Sequence, residues 1–384
     1  MVFRYLTPLW LYRILYGLNR RVDTVINKSP IYVDLTDISK KDFDDYLDYV
    51  LPIVQYRVRL LNLFNADQID LFNKKFDMSN FGELRSLILL HTDHDDLVTI
   101  IPKLASLKQL TYLRITVSNS NIEREDNQAV ISLLFNHSAL KTCHLDIGWI
   151  QIENRLSISN IEYLSISLLS LDDLFHLFQH VPKLQTLHVK VQHSYKQNYQ
   201  RIINTNLKLL NLKIDHIQFQ HLELLLHSIS QLERFHFNTR NRGEFIDGQR
   251  WSHLLSSLTK LEQFELYIEI QGVLEVNNID SAVAAFQTSF WLNKRWSVIC
   301  EQDKIYTIPN FPKVDFMMSL NSSLSNRFQQ YYSCAGVKYL HISINNLLFS
   351  QQQQQPINRL FPNVNHLTLG IFSRLFFPMS SEMF

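Results

Sequence analysis

Ten times along its length the chain writes the same short phrase: an apolar residue, two variable residues, a second apolar residue, one variable, a third apolar. It reads most plainly at Leu184-Leu187-Val189 and Leu207-Leu210-Leu212. The same spacing stands at Leu84-Leu87-Leu89, Leu110-Leu113-Ile115, Leu140-Cys143-Leu145, Ile161-Leu164-Ile166, Leu232-Phe235-Phe237, Leu261-Phe264-Leu266, Val337-Leu340-Ile342 and Val364-Leu367-Leu369. Most successive starts lie about 21 to 30 residues apart. At such a period each unit supplies one strand and one return segment, and no unit can bury its apolar side without its neighbours. A chain built this way grows by stacking, so 384 residues need not divide into separate cores.

Between the phrases the apolar spacing changes from alternation to intervals of three and four. DHDDLVTIIPKLASL, EDNQAVISLLFNHSA, LDDLFHLFQHVPKL, QFQHLELLLHSIS and GQRWSHLLSSLTKL are each long enough for a return helix, several with Asp or Glu near the start. Strand then helix, repeated, gives parallel strands with right-handed crossovers. The pattern resembles the leucine-rich-repeat family. That resemblance implies an α/β fold, a curved solenoid with a parallel inner sheet and outer helices, over residues 31–384. After a strand IYVDL and a helix in SKKDFDDYLDYVL, the strand VRLLNLF, with Val58, Leu61 and Leu63, shares the spacing, so the phrase is expected to begin there. An irregular connection bearing Asn and Asp is expected between it and Leu84.

Composition narrows the function classes. A formal net charge of +1 sets up no global field to gather nucleic acid or an anionic membrane. The cysteines, Cys143, Cys300 and Cys334, are far apart and form no C-x-x-C pair. They fit neither a disulfide framework nor a zinc site, and a reducing compartment, cytoplasm or nucleus, is expected. The apolar N-terminus lacks a small-x-small cleavage site, so secretion is not expected. No window approaches the roughly 18 uninterrupted apolar residues of a transmembrane helix.

Residues 3–26 read as two helices, with Thr7 and Pro8 at the start of the second. Phe3, Leu6, Pro8, Leu11 and Leu15, then Asn19-Arg20-Arg21 and Ile26, resemble the second half of an F-box. In that family short helices dock on a Skp-type adaptor of a cullin-RING ubiquitin ligase, and a leucine-rich array often follows. The resemblance covers about two dozen residues and implies adaptor contacts at Phe3, Leu6, Pro8, Leu11 and Leu15. The family's opening helix, begun by Leu-Pro and an acidic residue, has no counterpart here. The sequence is therefore expected to be a piece of a longer chain, or to hold an adaptor weakly. Residues 1–30 form this truncated segment; without an adaptor role it would cap the array.

The phrase lapses between Leu261 and Val337. There RWSVICEQDKIYTIP alternates on both sides of Gln302-Asp303-Lys304 and reads as a hairpin, after a helix in AVAAFQTSFWL. An insertion or degenerate repeats are expected at about 272–335. The run Gln351 to Gln355 reads as a solvated loop.

Strand side chains alternate between faces, so if the phrase residues point to the core, those between them line the concave surface. The central column runs Ile88, Arg114, His144, Ser165, His188, Asn211, His236, Glu265, His341, Thr368. Flanking columns hold Tyr112, Tyr163, Arg234 and Tyr339 on one side, and Asp146, Ser167, Lys190, Lys213 and Tyr267 on the other. Tyr and Arg are the types that anchor protein interfaces. The expected partner-binding face is Tyr112, Arg114, His144, Tyr163, His188, Arg234, His236, Glu265, Tyr267, Tyr339 and His341.

Signs of chemistry are weak by comparison. His91, Asp93, His94, Asp95 and Asp96 stand between a strand and a helix, where acidic residues are ordinary helix starts. His176 and His180 have the spacing of two zinc ligands but no glutamate after the first. Cys143 replaces a core leucine, and there is no G-x-S-x-G, P-loop or G-x-G-x-x-G. No catalytic, cofactor or metal residue is assigned. The expected function is a non-catalytic protein-interaction module, by resemblance the substrate receptor of a Skp-cullin-F-box ubiquitin ligase, binding a protein on its concave face and no nucleic acid or membrane. The alternative is a leucine-rich-repeat scaffold or inhibitor with no ubiquitin link.

Overall fold

Several phrases open on a turn in which the first N–H donates to the carbonyl three residues back. Leu84 bonds Phe81 (2.9 Å), Leu110 bonds Leu107 (3.1 Å), Leu140 bonds His137 (3.2 Å) and Leu184 bonds Val181 (3.1 Å). The chain then straightens into a strand whose second and third phrase residues face the core. This computed structural model describes residues 16–118, 130–132, 134–152, 156–193, 206–215, 217–241, 244–270, 284–301, 304–308, 315–319, 339–344 and 366–371. It divides into two units, Met1–Arg234 with Leu258–Leu261 and Phe235–Ser257 with Glu262–Phe384.

In the first unit the strands are β1 (Ile31–Asp34), β2 (Val58–Leu63), β3 (Ser86–Thr92), β4 (Tyr112–Val117), β5 (Thr142–Asp146), β6 (Tyr163–Ser170), β7 (Thr186–His193) and β8 (Leu209–Ile214). They pair in chain order and all in parallel. In-order parallel strands with return segments between them are the arrangement of a leucine-rich-repeat-like array. Register keeps the phrase aligned, Leu87 opposite Leu113, Leu113 opposite Cys143, Cys143 opposite Leu164 and Leu164 opposite Leu187. All five of these side chains are fully buried.

A second bonding pattern stitches repeat to repeat. The carbonyl just before or at a strand's start accepts two N–H groups from the next repeat: Arg85 from Thr111 and Tyr112, Thr111 from Lys141 and Thr142, Lys141 from Glu162 and Tyr163, Glu162 from Gln185 and Thr186, Gln185 from Lys208 and Leu209, at 2.8–3.1 Å. Backbone groups where the chain turns into the sheet thus have partners, as buried backbone requires.

The return segments vary. α1 (Arg20–Lys28) precedes β1, while α2 (Lys40–Asp45), a wider turn at Tyr46–Val50 and α3 (Leu51–Val54) lead to β2. α4 (Ala66–Lys75) and α5 (His94–Leu104) follow β2 and β3, α6 (Leu171–His180) follows β6 and α7 (Phe219–His227) follows β8. The parallel pairing already includes Ile31–Asp34, which pairs with β2. One expectation needs correction. The connection before Leu84 is not irregular but holds α4, whose first turn is closed by Asn65 accepting from the Gln68 N–H (2.9 Å) while the Gln68 side chain accepts from the Phe64 N–H (3.0 Å). Between β5 and β6, by contrast, no helix occurs among the described residues, and Ile150 bridges to Leu168 instead.

The second unit contains β9 (Arg234–Asn241), α8 (Gly248–Ser256), β10 (Gln263–Ile270), α9 (Ser289–Lys294), β11 (Ser297–Glu301) and β12 (Lys304–Ile308). β9 begins on the last residue of the first unit. β10 pairs antiparallel with β12, and β11 with β12 antiparallel in a hairpin. β13 (Asp315–Ser319), β14 (Tyr339–Ile344) and β15 (His366–Ile371) form a separate parallel sheet. Here phenylalanines and tryptophans fill the core that leucines fill elsewhere, the rings of Phe235, Trp251 and Trp291 each lying within 6.1 Å of Phe264 between centroids. The indole N–H of Trp291 donates to the Gly248 carbonyl (3.2 Å). A Cβ on Gly248 would lie 2.5 Å from the Ala285 carbonyl, so only glycine permits this approach.

Candidate functional site

The alternation that buries Leu113, Cys143, Leu164 and Leu187 presents the intervening side chains to the opposite, polar face. The central column is realised as a register ladder, with Ile88 opposite Arg114, Arg114 opposite His144, His144 opposite Ser165, Ser165 opposite His188 and His188 opposite Asn211. It extends further back than expected, through Asn62 to Asp34, whose carboxylate accepts from the Asn62 amide (2.9 Å).

Across β4 to β7 the face carries an unbroken row of rings. Tyr112 meets His144 at 5.5 Å between centroids, His144 meets Tyr163 at 4.6 Å, and Tyr163 stacks on His188 at 5.3 Å with planes 30° apart. Contact runs diagonally, since Tyr163 stands opposite Thr142 and Thr186 rather than opposite either histidine. All four rings are half-buried, and Arg114 beside them is exposed. Burial first, then the Arg114 charge and then His188 hold the His144 imidazole below its ordinary basicity, so it stays neutral at physiological pH. Burial, with Tyr112 adding to it, pushes the Tyr163 phenol up, so its hydroxyl keeps its proton as a hydrogen-bond donor.

The other expected face residues are placed as follows. Arg234 opens β9 and is exposed, its N–H donating to the Lys208 carbonyl. In the second unit His236 Nδ1 lies 2.5 Å from Glu265 Oε2, and Tyr267 stands opposite Tyr306. Tyr339 and His341 lie on β14, opposite His366 and Thr368 in register, with side chains outside the described residues. Phe3, Leu6, Pro8, Leu11 and Leu15 also lie outside the described residues. Of the F-box-like stretch, Asn19 caps α1 by accepting from the Arg21 and Val22 N–H groups (3.0 Å each), and Ile26 is buried with its carbonyl held by Arg57 (2.6 Å).

Two residues left out of the expected face belong beside the ring row. Lys190 and Lys213 are exposed and directly opposite each other on β7 and β8. The signal was their shared column. The residues with a chemical look have structural surroundings. Asp93 precedes α5, Asp95 and Asp96 lie in its first turn, and burial followed by the Asp70 charge raises Asp96. His180 is buried and held below its ordinary basicity, chiefly by burial. Burial pushes the Cys143 thiol up to about 12, far from a reactive thiolate. Among the described residues no group of three or more His, Cys, Asp or Glu could hold a metal, and no helix is long and apolar enough to cross a membrane.

No family model and no curated protein matches the chain. Among solved structures, the crystal structure of a TLR13–ssRNA13 complex is similar to it at 14% identity and a TM-score of 0.32, over 77% of this chain and 41% of that one. The chain thus spans about two fifths of that protein's length.

Proposed function

We propose that the chain is a non-catalytic protein-interaction module that holds a protein partner on the polar face of its first unit. The observation that carries this reading is the ring row Tyr112-His144-Tyr163-His188, with Arg114 at its side. Rings and arginine on a sheet face that solvent reaches are what protein interfaces use as anchors, and strand-borne anchors are already held in place before a partner arrives. The row of imidazoles and phenols holds no Ser, Cys or Lys nucleophile set against a base, which favours recognition over chemistry.

The finer reading is a substrate receptor of a Skp-cullin-F-box ubiquitin ligase. It is supported by the resemblance of the N-terminal stretch to the second half of an F-box, and by α1 joining the first repeat through Ile26 and Arg57. Its rival is a scaffold or inhibitor with no ubiquitin link.

Co-purification from cells tests both levels. The full chain is expected to retain a Skp-type adaptor, and a Tyr163→Ala/His188→Ala variant is expected to keep the adaptor while losing proteins retained by the wild type by about tenfold. Loss of the adaptor with retention of the other proteins would leave the scaffold reading. Identical protein sets from wild type and variant would remove the ring row as the binding face.

A further inference from the structure

We propose that the segment held on this face is a short, extended, acidic peptide, its carboxylates meeting Lys190, Lys213 and Arg114 and its main chain crossing the ring row; this rests on the reading that the face binds protein. The charges argue first. Lys190 and Lys213 face each other across neighbouring strands, which run about 4.8 Å apart, an arrangement in which like charges repel. Neither forms an ion pair among the described residues, nor does Arg114. Elsewhere in the unit two lysines do pair across repeats, Lys141 with Glu162 (3.0 Å) and Lys208 with Glu233 (3.6 Å). These three cations on the polar face thus lack a carboxylate partner among the described residues. An anionic partner supplies what the sheet omits.

The rings say which anion. Their planes lie 30° to 47° apart at centroid distances of 4.6 to 5.5 Å, so they lean on one another. With faces already engaged, solvent is offered mainly edges and tyrosine hydroxyls. Those suit carbonyl and carboxylate oxygens better than the flat bases of a single-stranded nucleic acid, which need open ring faces. Asp146 stands in the same column as Lys190 and Lys213. A uniformly charged phosphate backbone would run against it, whereas a peptide can set a neutral residue there. From β4 to β8 is four strand spacings, about 19 Å, which about six extended residues cross.

The test pans a phage library of random seven-residue peptides on the full-length chain and on Lys190→Glu/Lys213→Glu, with circular dichroism as the check on folding. Lys190→Gln/Lys213→Gln stands in if the reversed variant unfolds. Asp and Glu are expected to be enriched in peptides selected by the wild type, and that enrichment to vanish on the variant. Peptides chosen by the wild type should bind the variant about tenfold more weakly, and their binding to the wild type should weaken as salt rises. Selected peptides that need Tyr163 but carry no acidic bias would overturn this inference while leaving the protein-binding reading intact. Selection indifferent to both the lysines and Tyr163, or displacement of every selected peptide by decauridylate, would overturn both.

Discussion

His144 lies in the middle of the ring row, between Tyr112 and Tyr163, and its protonation sets a pH dependence. Burial, Arg114 and His188 lower its basicity in the folded chain from an ordinary value of 6.5. The unfolded chain therefore binds more protons as pH falls below 6.5, so the stability this residue contributes is fully present above that pH and declines below it. Chemical denaturation at pH 7.5 and 5.5 should show the wild type losing stability at the lower pH, with a smaller loss in His144→Gln. His180 is shifted in the same direction, so the variant should keep part of the dependence. Equal losses in both proteins would mean that His144 takes up its proton without cost. The contacts of this residue were only partly legible. Alternation put His144 and Tyr163 on one face but in different columns, and a column treats directly opposed residues as neighbours. Long aromatic side chains reach the diagonal position as well, which is how the 4.6 Å contact arises.

At the scale of elements, the strands could be read because burial on one side imposes a period of two that survives any substitution of one apolar residue for another. Cys143 for leucine and Phe235 for leucine leave it intact, and both are fully buried. The return segments were less legible. Asn65 and Gln68, three apart, carry the capping spacing that opens α4, yet Asn and Asp are equally common in turns, so the same residues read as an irregular connection. A related cap has a measurable weight. Asp173 is buried, and its carboxylate accepts from the Ser170 N–H (2.8 Å), the Ser170 hydroxyl (2.6 Å) and, across to the preceding return segment, the Ile152 N–H (2.8 Å). Asp173→Ala should cost about 2–4 kcal/mol, since it removes the carboxylate half of the capping box and leaves three buried donors without their acceptor. Asp173→Asn should fall between, one of its two terminal atoms having become a donor. Urea midpoints of the three proteins measure this, and a loss below about 1 kcal/mol for the alanine variant would show that water replaces the carboxylate.

Over the first unit as a whole, each repeat touches only the repeats before and after it, so a defect should spread along the chain rather than stay local. Leu187 is fully buried on β7 between Leu164 and Leu210. Leu187→Ala should cost about 3 kcal/mol, and hydrogen exchange should quicken on β6 and β8 along with β7, fading toward β1 and β2. Uniform acceleration over all eight strands would instead make the unit one cooperative block. The stitching carbonyls have a consequence for how such a chain can change over generations. Because Arg85, Thr111, Lys141, Glu162 and Gln185 each fasten the next repeat at the foot of its strand, the distance between neighbouring rings is set there and owes nothing to the return segment. The gap between β5 and β6, where no helix occurs among the described residues, carries the shortest contact of the ring row, His144 to Tyr163. Insertions and deletions can therefore accumulate on the return side while the spacing that a partner reads stays constant, and descendants of this chain could share a recognition surface while differing in length at every turn.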